Sequence, residues 1–266
     1  MARREFPRVD GYHDRLSRIE TQWSMVRDAH GSASDEVARA QRELIDRYGG
    51  AVRRYALAAL RNEEAADDVL QEFALRFVRG DFDKASPERG RFRSFVKTCV
   101  YHLIVDGQRR KKRDGRQQQF KTATPEPAAA TEADHAELFD NSWRDDLLAR
   151  VWTQLEGVQE RSGKPYYTAL RLRVEAPEAR SPELAEKIGH AVGKPMKAGA
   201  ARVLLHRARE AFAELLLEEV AHSLPEARAD QLEEELIALN LLEYCRPILE
   251  KRAANAAAAD GDRPGR

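Results

Sequence analysis

EEAADDVLQEFALRFVR, residues 63–79, places apolar side chains at Ala66, Val69, Leu70, Phe73 and Phe77. Steps of three and four residues put all five on one side of an α-helix, so the stretch predicts a helix with one buried face. The other side carries Glu64, Asp68, Gln71, Glu72 and Arg76. By spacing alone such a face is an ordinary solvated surface with i, i+4 ion pairs. Upstream, Ser34 or Asp35 can cap a helix that runs through VARAQRELIDRYGGAVRRYALAALR (37–61), with a bend expected at the Gly49-Gly50 pair. Downstream, the loop GDFDKASPERG (80–90) leads into FRSFVKTCVYHLIVDGQRRKKR (92–113). There Phe92, Phe95, Val96, Cys99 and Leu103 form the inward stripe, and the helix is expected to end in a basic block.

Composition breaks once. Residues 114–141 show no sustained apolar period and read as a flexible linker. Beyond it, WRDDLLARVWTQLE (143–156) and PYYTALRLRVEA (165–176) read as helices. SPELAEKIGHAVG (181–193) follows, with Ser181 as expected N-cap and Pro182 at the first helical position. After a turn at Gly193-Lys194-Pro195, a long helix runs from about Lys197 to Leu224, its apolar side expected at Val203, Leu204, Leu205, Ala208, Phe212 and Leu215. A short helix, a turn and a basic helix make a helix-turn-helix candidate. The division is 1–32 N-terminal extension, 33–113 first domain, 114–141 linker, 142–222 second domain, 223–252 acidic helical tail and 253–266 disordered end. The expected fold class is all-α, two small helical domains on a flexible linker with extra helices at both ends.

Charge and composition restrict the function. Lys+Arg and Asp+Glu both number 45, a net charge of zero. The average hides seven basic residues against Asp114 alone between Arg109 and Lys121, and an acidic excess from Glu214 to Glu243. That asymmetry fits a chain meeting nucleic acid in one place and protein in another. No apolar run is long enough to cross a bilayer, and MARREFPRVD has no signal-peptide core, so a cytoplasmic location is expected, without membrane insertion. Two cysteines, Cys99 and Cys245, and seven scattered histidines show no metal-ligand spacing. Neither a phosphate-binding glycine loop nor a nucleophile motif is present, so no enzyme, cofactor or metal is expected.

Several motifs together resemble the extracytoplasmic-function subfamily of sigma-70 factors over most of 35–222. The residues that carry this are Asp67-Asp68-Val69-Leu70-Gln71-Glu72-Phe73, then Phe92-Arg93-Ser94-Phe95 and Asp106 with Arg109-Arg110. Leu184-Ala185-Glu186-Lys187-Ile188-Gly189 and Leu205-His206-Arg207-Ala208-Arg209 resemble the sigma-4 helix-turn-helix. Thr21-Gln22-Trp23-Ser24 and Pro87–Phe95 are further similar to planctomycete sigma factors. Three features depart from the pattern: His102 where the family usually has Asn, a turn between Gly189 and Met196 about six residues longer than usual, and the two terminal extensions.

The resemblance implies a sigma-2-like bundle and a sigma-4-like helix-turn-helix in a subunit that gives RNA polymerase its promoter specificity. It makes Asp68, Gln71, Glu72 and Arg76 the dock for the clamp helices of the polymerase's largest subunit. Arg93, Lys97, Tyr101, His102, Arg109 and Arg110 become contacts to the melted minus-ten strand, where cations track phosphates and rings stack on bases. The loop near 80–91 would form part of a pocket for a flipped base. Lys197, Arg202, His206, Arg207 and Arg209 become minus-thirty-five contacts. Promoter DNA and core polymerase are the expected partners, with an anti-sigma factor or other regulator, to which the acidic tail could bind unless it folds back on the second domain. The competing reading is a stand-alone helix-turn-helix regulator or helical adaptor, which has no need of an acidic docking face.

Overall fold

Asn62 starts the helix that the opening stretch predicts. Its backbone is extended (φ −146°) and its side chain accepts a hydrogen bond from the Ala65 N–H at 2.7 Å, satisfying a donor that the first helical turn cannot. In this computed structural model, which describes residues 34–79, 92–118, 131–224 and 228–261, α1 (Ser34–Leu60) ends just before that cap and α2 (Glu63–Val78) begins after it. Arg53 of α1 ties the pair with an ion pair to Asp67 at 2.6 Å. Asn62→Ala should destabilise the chain by about 1 kcal/mol; an unchanged urea midpoint would remove the cap from the account.

The remaining described helices are α3 (Phe92–Gln118), α4 (Glu132–Ser162), α5 (Tyr166–Glu175), α6 (Ser181–Ala191), α7 (Ala198–His222), α8 (Ala229–Ala238) and α9 (Leu242–Gly261). Among the described residues there is no strand, and they are all-α as expected. The described residues gather into two units, those from 34 to 146 with those of 222–231, and those of 147–221 with those of 232–261. The N-terminal extension lies outside the described residues.

In the first unit the predicted α2 stripe is the core: Ala66, Val69, Phe73 and Phe77 are buried and Leu70 half-buried. On α3 the buried stripe is Phe92, Val96, Val100, Leu103 and Ile104, while Phe95 and Cys99 sit half-buried at its edge. Helix α1 continues through Gly49 and Gly50, where a bend was expected. A Cβ on Gly49 would only touch the Leu70 side chain at an ordinary 3.4 Å, whereas one on Gly50 would collide with the Asp146 carboxylate.

The linker expectation fails over its second half. Residues 132–141 are helical and begin α4, whose first part closes the first unit. Phe139 packs edge-on to Tyr55 at 5.3 Å, and Trp143 stacks on Tyr48 at 5.1 Å with the rings 9° from parallel. Burial of these aromatics holds this part of α4 to α1. At the other boundary, α3 carries the basic block inside the helix as far as Gln118.

In the second unit α4 continues against α7. Glu219, a buried carboxylate, accepts from Gln154 Nε2 at 2.7 Å and pairs with Arg150 at 3.3 Å. Gln159 reaches across the turn to cap α5, accepting from the Thr168 N–H at 3.0 Å because Pro165 offers no side-chain cap. Helix α6 starts at Ser181, so Arg180 rather than Ser181 holds the N-cap position and donates its N–H to the Glu183 carboxylate at 3.3 Å. Pro182 then falls within the first turn, where its missing N–H is not needed.

The tail departs from expectation at its end. α9 runs to Gly261, so residues 253–261, expected to be disordered, are helical. The run AANAAAA supplies the strongest helix former in number.

Candidate nucleic-acid and partner interfaces

The exposed side of α2 is the first candidate surface. Asp68 and Gln71 are exposed, and Glu72 is half-buried and paired with Arg76 at 2.8 Å. Two apolar residues that the sequence reading did not single out stand among them, Leu75 at 41% and Val78 at 52% exposure. Leu75 lies one helical turn beyond Gln71 and Val78 two, off the buried stripe, and that offset is the signal that could have found them. An apolar pair rimmed by acids and an amide suits a protein partner better than a nucleic acid.

Helix α3 presents two different rows. Arg93, Lys97 and Tyr101, expected together at the DNA strand, all face the first half of α4, Arg93 buried and the other two half-buried. Arg93 is 5% exposed and ion-paired to Asp140, and Lys97 reaches the same carboxylate at 3.4 Å. Tyr101 is half-buried with its ring 5.3 Å from His135, whose Nδ1 lies 3.1 Å from the Tyr55 hydroxyl. Burial pushes the Tyr55 hydroxyl well above its ordinary range. A buried cation held by a carboxylate is a structural group, and Arg93 is thereby corrected from a DNA contact to a packing residue.

The outward row of α3 is Ser94, Thr98, His102, Asp106 and Arg109, all exposed. His102 and Arg109 therefore stand where a ligand can reach them, with Arg109 3.8 Å from Asp106. Arg110 lies in α3, but its side chain is outside the described residues, as is the loop 80–91. Burial raises the Cys99 thiol to about 11, in keeping with a packing role.

The third surface is built by α6 and α7. Gly193, in the left-handed region at φ +68°, ends α6, and the Lys194 N–H returns to the Gly189 carbonyl at 2.9 Å. This is a Schellman cap. It folds the long turn back over Gly189, where a Cβ would come within 2.9 Å of the Lys194 carbonyl oxygen. The extra turn residues thus form an ordered reversal, and α7 starts at Ala198, one residue after the expected Lys197.

On α7, Ala201, Leu205, Ala208 and Phe212 are buried, with Leu204 and Leu215 half-buried. Val203, placed on the apolar side from sequence, is instead 52% exposed. Lys197, Arg202, His206, Arg207 and Arg209 are all exposed. The one acid in their midst is Glu210, 3.8 Å from His206 Nε2 and 2.8 Å from Lys251 Nζ. The hydrogen bond from Lys251, above all, holds the Glu210 carboxyl below its ordinary range.

No described group of His, Cys, Asp and Glu is arranged to hold a metal, and no described helix is long and apolar enough to cross a membrane. Among known families, residues 44–114 match the model described as Sigma-70 region 2, a span of about a quarter of the chain that covers most of α1, all of α2 and most of α3. No curated protein and no solved structure matches the chain.

Proposed function

We propose, from the premise that residues 44–114 are a sigma-70 region 2 with a role in transcription initiation, that the chain is a sigma factor of the extracytoplasmic-function type. It binds core RNA polymerase and directs initiation at promoters with minus-ten and minus-thirty-five elements. The observation that carries this is the coincidence of the region 2 match with a free acidic and apolar face on α2. A sigma role is non-catalytic; the work is binding and strand separation.

In this reading Asp68, Gln71, Glu72 and Arg76, with Leu75 and Val78, dock on the clamp helices of the largest subunit. His102 and Arg109 meet the unpaired minus-ten strand, joined by Lys97, Tyr101 and Arg110 at the margin. The α7 face, with Lys197, Arg202, His206, Arg207 and Arg209, enters the major groove at the minus-thirty-five element, where side chains reach base edges and cations the phosphates. A regulator such as an anti-sigma factor would act by covering one of these faces.

The test mixes the full chain with core polymerase and assays transcription from genomic fragments. Promoter-specific transcripts that require the chain are the expected result. If no holoenzyme forms and the chain alone shifts duplex DNA specifically, the protein is a stand-alone regulator. Arg202→Ala in the holoenzyme should lose selectivity at particular promoter positions, by about tenfold for one base preference. A uniform loss across sequences would make Arg202 a phosphate anchor instead.

A further inference from the structure

We infer that the C-terminal helix α9 is part of the duplex-binding surface, because its Lys251 cancels the negative charge that Glu210 sets beside the basic residues of α7. The inference rests on the reading of α6 and α7 as a helix-turn-helix. Gly199, Val203, His206 and Glu210 succeed each other at intervals of three or four residues, so they share one side of the helix. Along that side Arg202 and Arg207 are exposed and suited to phosphate, and Glu210 is not.

Glu210 lies about 6 Å further along the axis than His206, since each helical residue rises 1.5 Å. A bare carboxylate there would face the phosphate edge of any groove that takes His206 and Arg207. Helix α9 removes that charge. Tyr244 packs edge-on to Phe212 at 5.7 Å, which brings α9 against α7, and Cys245 and Ile248 are buried. One turn past Ile248, Lys251 donates to Glu210 at 2.8 Å, and Arg252 pairs with Glu214. Lys251 keeps 58% of its side chain exposed, so the pair sits at the surface and not in the core. A pair so exposed contributes little to folding. Its effect is on the field that a polyanion meets.

The acidic excess between Glu214 and Glu243 makes the tail look like a feature that repels DNA. The geometry assigns α9 the opposite role, a supplier of cations to the face that binds it. Lys251 is accordingly a positioning residue, acting through Glu210 and not by touching a base.

The test uses the full chain and a fluorescein-labelled DNA duplex of mixed sequence, read by anisotropy in a sodium chloride series. Lys251→Gln should weaken binding about threefold at low salt, the effect of one uncancelled charge near the phosphates. Lys251→Arg should bind as the parent does. Adding Glu210→Gln to Lys251→Gln should restore parental affinity. Either a Lys251→Gln chain that binds as the parent does, or a double variant as weak as the single, overturns the inference. Arg207→Ala reports on the helix-turn-helix reading separately: parental binding and salt dependence in that variant would sink the parent reading, whatever Lys251 does. Melting curves of all four variants should coincide within a few degrees, as expected for surface substitutions.

Discussion

Trp143→Ala is expected to destabilise the first unit by about 3–5 kcal/mol, as truncation of a fully buried aromatic does. Trp143 is 1% exposed, lies flat on Tyr48 and also meets Phe139 at 5.7 Å. Removing the indole leaves a cavity between α1 and α4 that rigid helices cannot close. Trp143→Phe separates size from polarity. The buried indole N–H finds no acceptor among the described residues, so phenylalanine keeps most of the packing and discards an unmet donor. That variant should stay within about 1.5 kcal/mol of the parent. Urea unfolding checks both; an alanine variant less than about 1 kcal/mol weaker would mean that α4 is not a structural wall of this unit.

Glu72→Arg is expected to weaken binding of core polymerase at least tenfold, about 1.4 kcal/mol or more, since a reversed charge meets the partner's cations. The fold should survive. Glu72 is half-buried, and the new side chain would face Arg76 one turn on, a like-charge pair that costs only about 0.2–0.5 kcal/mol. Leu75→Ala should weaken core binding as well, without changing the charge of the face. Pull-down of core polymerase at two salt concentrations distinguishes them: the Glu72 effect should shrink as salt rises and the Leu75 effect should not. Unchanged affinity for Glu72→Arg would remove α2 as the docking face.

The parts of this fold legible in sequence were those where one kind of side chain repeats at helical spacing. The α2 stripe is such a case, all of it apolar: four of its five residues are buried, Leu70 is half-buried, and Ala65 joins them from outside the pattern. The first half of α4 escaped because its inward row is His135, Phe139, Ser142 and Trp143, and half of these are polar. Ser142 can be buried because its hydroxyl donates to the Leu138 carbonyl at 2.7 Å, and His135 because it meets the Tyr55 hydroxyl. Such satisfaction lies in the third dimension.

The burial of Arg93 is hidden from sequence for the same reason. A cation can be buried only beside its counter-charge, and Asp140 is 47 residues away in the chain. Val203 stands in the run Val203-Leu204-Leu205, where periodicity cannot choose which residue turns outward. The neighbours at Ala201, Ala208 and Phe212 decide it, since burying them rotates Val203 into solvent.

The wall that α4 builds also bears on how the chain can be divided. The sigma-70 region 2 match ends at residue 114, before α4 begins. A fragment cut there would keep Tyr48, Tyr55 and Phe92 but lose Phe139 and Trp143, leaving an open aromatic surface that invites self-association. A piece that retains the α2 face should therefore extend at least through Asp146, whose carboxylate closes against Gly50.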